Sequence, residues 1–160
     1  MFSFDALTKI CFLRSFGRLV AARAQENDAG TSNECLWEIQ LPHVLIEMTD
    51  NIERWAHPRK VVEAVHEAAC SSGDLPTGAI KTRAIRHSDY AIGTDENGLE
   101  GFITVLIRIR PGRSDAIMKG ISDAVHQAVI GQVTPIAGRQ LNISVDLQLI
   151  DPVAAVQSKH

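Results

Sequence analysis

The sequence carries no surplus of positive charge. Its 16 lysines and arginines stand against 19 aspartates and glutamates, a formal net charge of −3 over 160 residues. With no basic excess to neutralise a phosphate backbone, nucleic acid is not an expected partner. Long apolar runs are missing too: none approaches the ~20 residues that span a bilayer, so no membrane partner is expected either. The three cysteines, Cys11, Cys35 and Cys70, are odd in number and lack CxxC spacing. That argues against a disulfide framework and against a cysteine-based metal site, and a reducing, cytoplasmic setting is the simplest reading. No cofactor is expected. What is present is ordinary: 45% apolar and 22% charged residues, a composition that supports one packed domain rather than disorder.

The patterning changes character near position 41. Residues 5–24 read as a basic helix carrying Lys9, Arg14, Arg18 and Arg23, and residues 25–34 as a polar loop. Ala22-Arg23-Ala24 has the small-x-small form of a signal cleavage site, but Arg14 and Arg18 interrupt the apolar stretch that a secretory signal needs. Residues 1–41 are therefore read as an N-terminal extension and residues 42–160 as the folded domain.

From Pro42 the elements become regular. PHVLIEM (42–48) is a short apolar, β-branched run that reads as a strand. Pro58 suits the first turn of a helix, where its missing N–H is no loss. Val61, Val65, Ala68 and Ala69 follow at helical spacing, and Gly73 is a natural stop. IKTRAIRH (80–87) reads as a second strand, and Asp95-Glu96-Asn97-Gly98 as a turn. The plan then repeats. FITVLIRIR (102–110) places Ile103, Val105, Ile107 and Ile109 on one face. Ser114 is a candidate N-cap for a helix with an apolar stripe of Ile117, Ile121, Ala124, Val125 and Ala128. Leu141, Ile143, Val145, Leu147 and Leu149 alternate with polar residues, as in a strand with one buried face. Two β-α-β units, each with a parallel crossover, predict an α+β domain: a four-stranded mixed sheet with both helices on one face.

Several strings on this plan are informative together. Pro42-His43 opens the domain, followed by Glu47 and Asp50-Asn51-Ile52. Later come Ile80-Lys81-Thr82-Arg83-Ala84, Gly101-Phe102 and Arg110-Pro111-Gly112-Arg113-Ser114. In this order they resemble the 5-carboxymethyl-2-hydroxymuconate isomerases of the tautomerase superfamily, from residue 42 to the C-terminus. The resemblance implies a dienol–ketone isomerase of aromatic-compound degradation, in which an N-terminal proline, here Pro42, is the general base. It implies a polycarboxylate substrate held by cations, for which Lys81, Arg83 and Arg113 stand at the matching positions, and it implies a homotrimer. Lys81 stands where some relatives have arginine, keeping the charge but not the planar fork. Thr104 stands where some have histidine, and is assigned no role.

Each choice has a plainer alternative. Pro42 can simply start a strand. Arg83 fits the solvated side of a strand, although two cations on one face, Lys81 and Arg83, suit an anion site better. Arg113 lies at a helix start, where the macrodipole disfavours a cation, so a structural role explains it poorly. His66 and His126 read as surface or packing residues.

The difficulty is Leu41, which makes Pro42 internal and its nitrogen a tertiary amide without a basic lone pair. Translation starting at Leu41 is the favoured explanation, because TTG is both a leucine codon and a bacterial start. Trp37-Glu38 must be encoded TGG-GAR, which contains a purine-rich string resembling a ribosome-binding site at suitable spacing. Removal of the initiator methionine would then expose Pro42. Proteolysis is the second explanation. The third keeps the extension and makes the domain a catalytically silent binding or assembly module. A ferredoxin-like βαββαβ domain shares the same order of elements.

Overall fold

The computed structural model describes residues 42–95 and 97–156; the expected extension, with its basic helix and polar loop, lies outside them. Strand β1 (His43–Thr49) leads through a 3-10 turn (Asp50–Arg54) into helix α1 (Pro58–Ser71), and a second 3-10 turn (Thr77–Ala79) precedes strand β2 (Lys81–His87). Strand β3 (Glu100–Ile109), helix α2 (Asp115–Ile130) and strand β4 (Gln140–Leu149) repeat the plan. The sheet order is β2-β1-β3-β4. Each helix links a parallel pair, β1 with β2 and β3 with β4, while β1 and β3 join the halves antiparallel. The α+β architecture expected from the sequence is the one observed.

Local chemistry explains the boundaries. Pro58 occupies the first turn of α1. Gly73, just past the helix end, adopts φ +74°, a left-handed conformation that glycine takes without steric cost. At α2 the Ser114 hydroxyl accepts the Ile117 N–H at 3.4 Å, the expected N-cap. The Asp95 carboxylate accepts the N–H groups of Asn97, Leu99 and Glu100, which organises the turn before β3 and holds that carboxyl below the usual aspartate range.

The core lies between the sheet and the helices. Val44, Ile46 and Met48 of β1 and Ile103, Val105 and Ile107 of β3 are fully buried, against Val61, Val65, Val125 and Val129 of the helices. Two details differ from the sequence reading. On α2 the buried residue of the last turn is Val129, while Ala124 is exposed; the longer side chain reaches the sheet. The apolar side of β4 turns toward the helices but is only half-buried, and Leu149 is 47% exposed. β4 is an edge strand, and the helical layer does not extend over its end.

Two of the strings noted in the sequence meet at one corner. Asn51 Nδ2 donates to the Glu100 carbonyl at 2.9 Å, and the Phe102 N–H donates to the buried Thr49 Oγ1 at 3.3 Å. Between them a Cβ on Gly101 would stand 3.0 Å from Thr49 Oγ1, 3.0 Å from the Trp55 ring and 3.2 Å from Asn51 Oδ1. Position 101 is glycine because the 3-10 turn packs directly on the β3 backbone. Gly101→Ala should therefore lower unfolding stability by about 1–3 kcal/mol through overpacking. In urea unfolding the midpoint should fall at constant slope; an unchanged midpoint would show that this corner gives way freely.

Candidate functional site

The strand pairing decides which residues meet. Because β1 and β2 are parallel, both begin at one end of the sheet, and antiparallel β3 finishes there. In register, His43 lies between Lys81 on one side and Arg108 on the other. Buried Pro42 precedes β1 at this end, its carbonyl accepting the Lys81 N–H at 2.9 Å. Arg110 and Arg113 follow directly on β3. Pro42, Lys81 and Arg113, 71 positions apart along the chain from first to last, are thus brought to one end, with Arg83 two residues further along β2.

Lys81 and Arg83 share the sheet face that the helices leave open. Thr82 between them points the other way, where its hydroxyl lies 2.9 Å from Nδ1 of His66 on α1. His66 is therefore a partnered residue under the helix, with its Nε2 also 3.6 Å from Cys70 Sγ. On the open face, Arg83 Nη1 lies 3.5 Å from His43 Nδ1. A guanidinium only donates, so Nδ1 accepts and the imidazole is unprotonated there. The contact is long and correspondingly weak. His43 has a pKa below the ordinary histidine value, first because it is partly buried, then because Arg83, Lys81 and Arg108 repel its charged form.

None of these three cations forms an ion pair among the described residues, unlike Arg86 on the opposite face of β2, which is held by Asp50 and Glu53 at 3.0 and 2.8 Å. Arg113 is different again. Its Nε donates to the Asp74 carbonyl at 3.0 Å and its Nη1 to the Arg110 carbonyl at 3.2 Å. It latches the loop after α1 to the loop after β3, a structural role that the helix-dipole argument did not anticipate. Nearby, Arg110 Nε is buried without a partner among the described residues.

His43 and Arg108 were not singled out as site residues by the sequence reading. Arg108 follows the alternation of β3 and looks like any solvated strand residue; only the register with β1 sets it beside His43. Further along the open face, Glu47 lies 3.9 Å from His87, and the Phe102 ring packs near His87 and Tyr90. Ser144 Oγ donates to Thr104 Oγ1 at 3.2 Å, which uses the Thr104 hydroxyl in cross-strand pairing. Among the described residues no group of three His, Cys, Asp or Glu side chains could hold a metal ion, and no helix is long and apolar enough to cross a membrane. Chemically, the arrangement can bind carboxylates at the open end of the sheet and present a neutral imidazole beside them.

Comparison with known families matches residues 42–160 to 5-carboxymethyl-2-hydroxymuconate isomerases. Among solved structures, a 5-carboxymethyl-2-hydroxymuconate isomerase from Deinococcus radiodurans R1 is similar, with 22% identity and a TM-score of 0.65 over 76% of this chain and 91% of that one. A 5-carboxymethyl-2-hydroxymuconate delta-isomerase is also similar, with 22% identity and a TM-score of 0.64 over 75% of this chain and 87% of that one. At that identity the likeness establishes the fold. Comparison with curated proteins returns no match.

The electrostatics of His43 can be measured. Its folded pKa lies below the unfolded value of about 6.5, so its contribution to stability is complete above that pH. It is lost as pH falls through the folded pKa, because the unfolded chain takes up the proton more readily. Arg83→Gln should raise the His43 midpoint in an NMR titration without fully restoring the ordinary value, since burial is the larger cause. A midpoint that does not move would remove Arg83 from the environment of His43.

Proposed function

The chain belongs to the 5-carboxymethyl-2-hydroxymuconate isomerase family, and on that premise we propose that it isomerises 5-carboxymethyl-2-hydroxymuconate or a similar polycarboxylate, with the free amine of Pro42 as general base. The observation that carries this reading is the gathering of Pro42, Lys81 and Arg113 at one end of the sheet. A secondary amine there can accept the proton of the dienol oxygen and return it to carbon, giving the conjugated ketone with no net gain or loss of protons. Lys81, Arg83 and Arg113 supply positive charge for the carboxylates and for the negative charge that develops on oxygen during transfer. Burial and neighbouring cations both favour the neutral amine, so it is ready to accept a proton near neutral pH.

The reaction requires Pro42 to be the first residue. With Leu41 attached, the nitrogen is an amide and the same fold is a silent binding or assembly module. That second reading is favoured by one observation, the presence of Leu41 before Pro42 in the sequence.

The open sheet face also supports assembly into the homotrimer that the resemblance implies. Phe102 and Leu106 are half-buried on it, and Ile85 is 44% exposed, an apolar patch within a polar surround. β2 and β4 each pair on one side only, and a closed ring of three would cover both edges.

A chain beginning at Pro42 should isomerise 2-hydroxymuconate-type dienols, and the chain carrying residues 1–41 should not. Its kcat/KM should rise with pH through an apparent pKa below ~7.7, the lower end of the ordinary α-amino range. Equal turnover from both chains, with the extension verified intact by mass spectrometry, would rule out the proline base. Sedimentation equilibrium of the Pro42-initiated protein at micromolar concentration should give a trimer; a stable, active monomer would reject the assembly.

A further inference from the structure

We propose that Cys70, His66 and Thr82, on the helix side of the sheet, act as a nucleophile, its proton carrier and an orienting hydroxyl, and that this site takes up α,β-unsaturated ketones and aldehydes by covalent addition to the Cys70 sulfur. The three lie on the opposite face of β2 from Lys81 and Arg83, and their chemistry does not depend on isomerisation at Pro42.

His66 and Cys70 stand four residues apart on α1 and so share one face of the helix. Cys70 is a free, half-buried thiol with Sγ 3.6 Å from His66 Nε2, and His66 Nδ1 lies 2.9 Å from Thr82 Oγ1 on β2. A threonine hydroxyl can accept as well as donate. With the ring proton on Nδ1 and donated to Thr82, the Nε2 lone pair faces the thiol and can take its proton. The thiolate is the reactive form of cysteine, and a base oriented by a third group is the arrangement that generates it.

A cavity of about 440 Å³ adjoins these residues, lined by Val62, Glu63, His66, Ile80, Lys81 and Thr82. As the crossover between two parallel strands, α1 runs back against β2. Cys70, one turn beyond His66, therefore lies toward the beginning of β2, the end of the cavity walled by Ile80. Val62 and Ile80 make that wall apolar. Glu63 is already paired with Arg59 at 2.8 Å, and the Lys81 side chain alternates to the open face. The occupant that fits is an uncharged carbon chain with its electrophilic carbon toward the soft sulfur.

Addition balances without an oxidant or a second substrate. The thiol proton passes to His66 Nε2, and the thiolate forms a C–S bond at the β carbon. The C=C electron pair shifts to give an enolate, and the imidazolium returns its proton to the α carbon. The product is a saturated ketone or aldehyde joined to sulfur, with His66 neutral again.

The full 160-residue chain is treated with 3-nonen-2-one or 3-penten-2-one near neutral pH. Peptide mass spectrometry follows the adducts and separates Cys70 from Cys11 and Cys35. Cys70 should react with 3-nonen-2-one about tenfold or more faster than N-acetylcysteine does, within what a positioned base contributes. It should favour 3-nonen-2-one over 3-penten-2-one by about fourfold beyond any preference of N-acetylcysteine, the effect of burying one methylene group. His66→Gln should lower the Cys70 rate about tenfold, and Thr82→Val about threefold, with Thr82→Ser restoring it. Nitrogen NMR of the unmodified chain should place the His66 proton on Nδ1. Circular dichroism verifies that the variants fold; if they do not, the parent rate, the ketone ratio and the tautomer decide. A Cys70 rate no higher than that of N-acetylcysteine, equal behaviour of the two ketones, an unchanged rate in folded His66→Gln, or a proton on Nε2 would overturn the proposal. Pro42 is an amide in this chain, so the outcome is separate from that of the isomerase test.

Discussion

The antiparallel pairing of β1 with β3 is the constraint on which the rest of the molecule depends. Each half, taken alone, is a β-α-β unit whose helix covers part of a two-stranded sheet. Joined through β1 and β3, the halves share one helical layer and one core, in which Val44, Ile46 and Met48 face Ile103, Val105 and Ile107 in register. The same pairing fixes the site. Since the strands run in opposite directions, the beginning of β1 meets the end of β3, and Pro42 and His43 are set beside Arg108 and the loop that carries Arg113. A slip of one residue would turn Arg108 toward the helices and Ile107 toward the open face. Register in the core and charge placement on the open face are therefore held by one set of hydrogen bonds.

The two faces of the sheet do opposite work. Toward the helices the surface is apolar, and Thr82 and His66 there partner each other. On the open face, Lys81 and Arg108 flank His43 across the strand pairs and Arg83 reaches its ring, and none of the three forms an ion pair among the described residues. Arg113, at the same end of the molecule, acts differently, tying the loop after α1 to the loop after β3 through their carbonyl oxygens.

At the far end of the sheet, two of the strings noted in the sequence pack against each other. Asn51 and Trp55 belong to one turn and Gly101 to β3, fifty residues on, yet they form one packed corner in which the Asn51 and Trp55 side chains leave no room for a Cβ at position 101. Glycine at 101 follows from contact rather than from φ, and nothing local in the sequence demands it.

Element order, the mixed sheet and the buried alternation of β3 were all determined by the sequence. Periodicity of apolar residues is a local property, and β-α-β connections have one strongly favoured hand. The sequence also supplied Pro42, Lys81, Arg83 and Arg113 as candidates through their order. It could not supply the neighbours of His43, because Arg108 becomes a partner only across a strand pair separated by some sixty residues of chain. Nor could it foresee the carbonyl contacts of Arg113, which need two loops to close on each other, or the exposure of Leu149, which depends on where the helical layer ends. Local pattern chose the elements; tertiary register chose which charges share a site, because a strand's alternation says which face a residue takes but not what stands beside it.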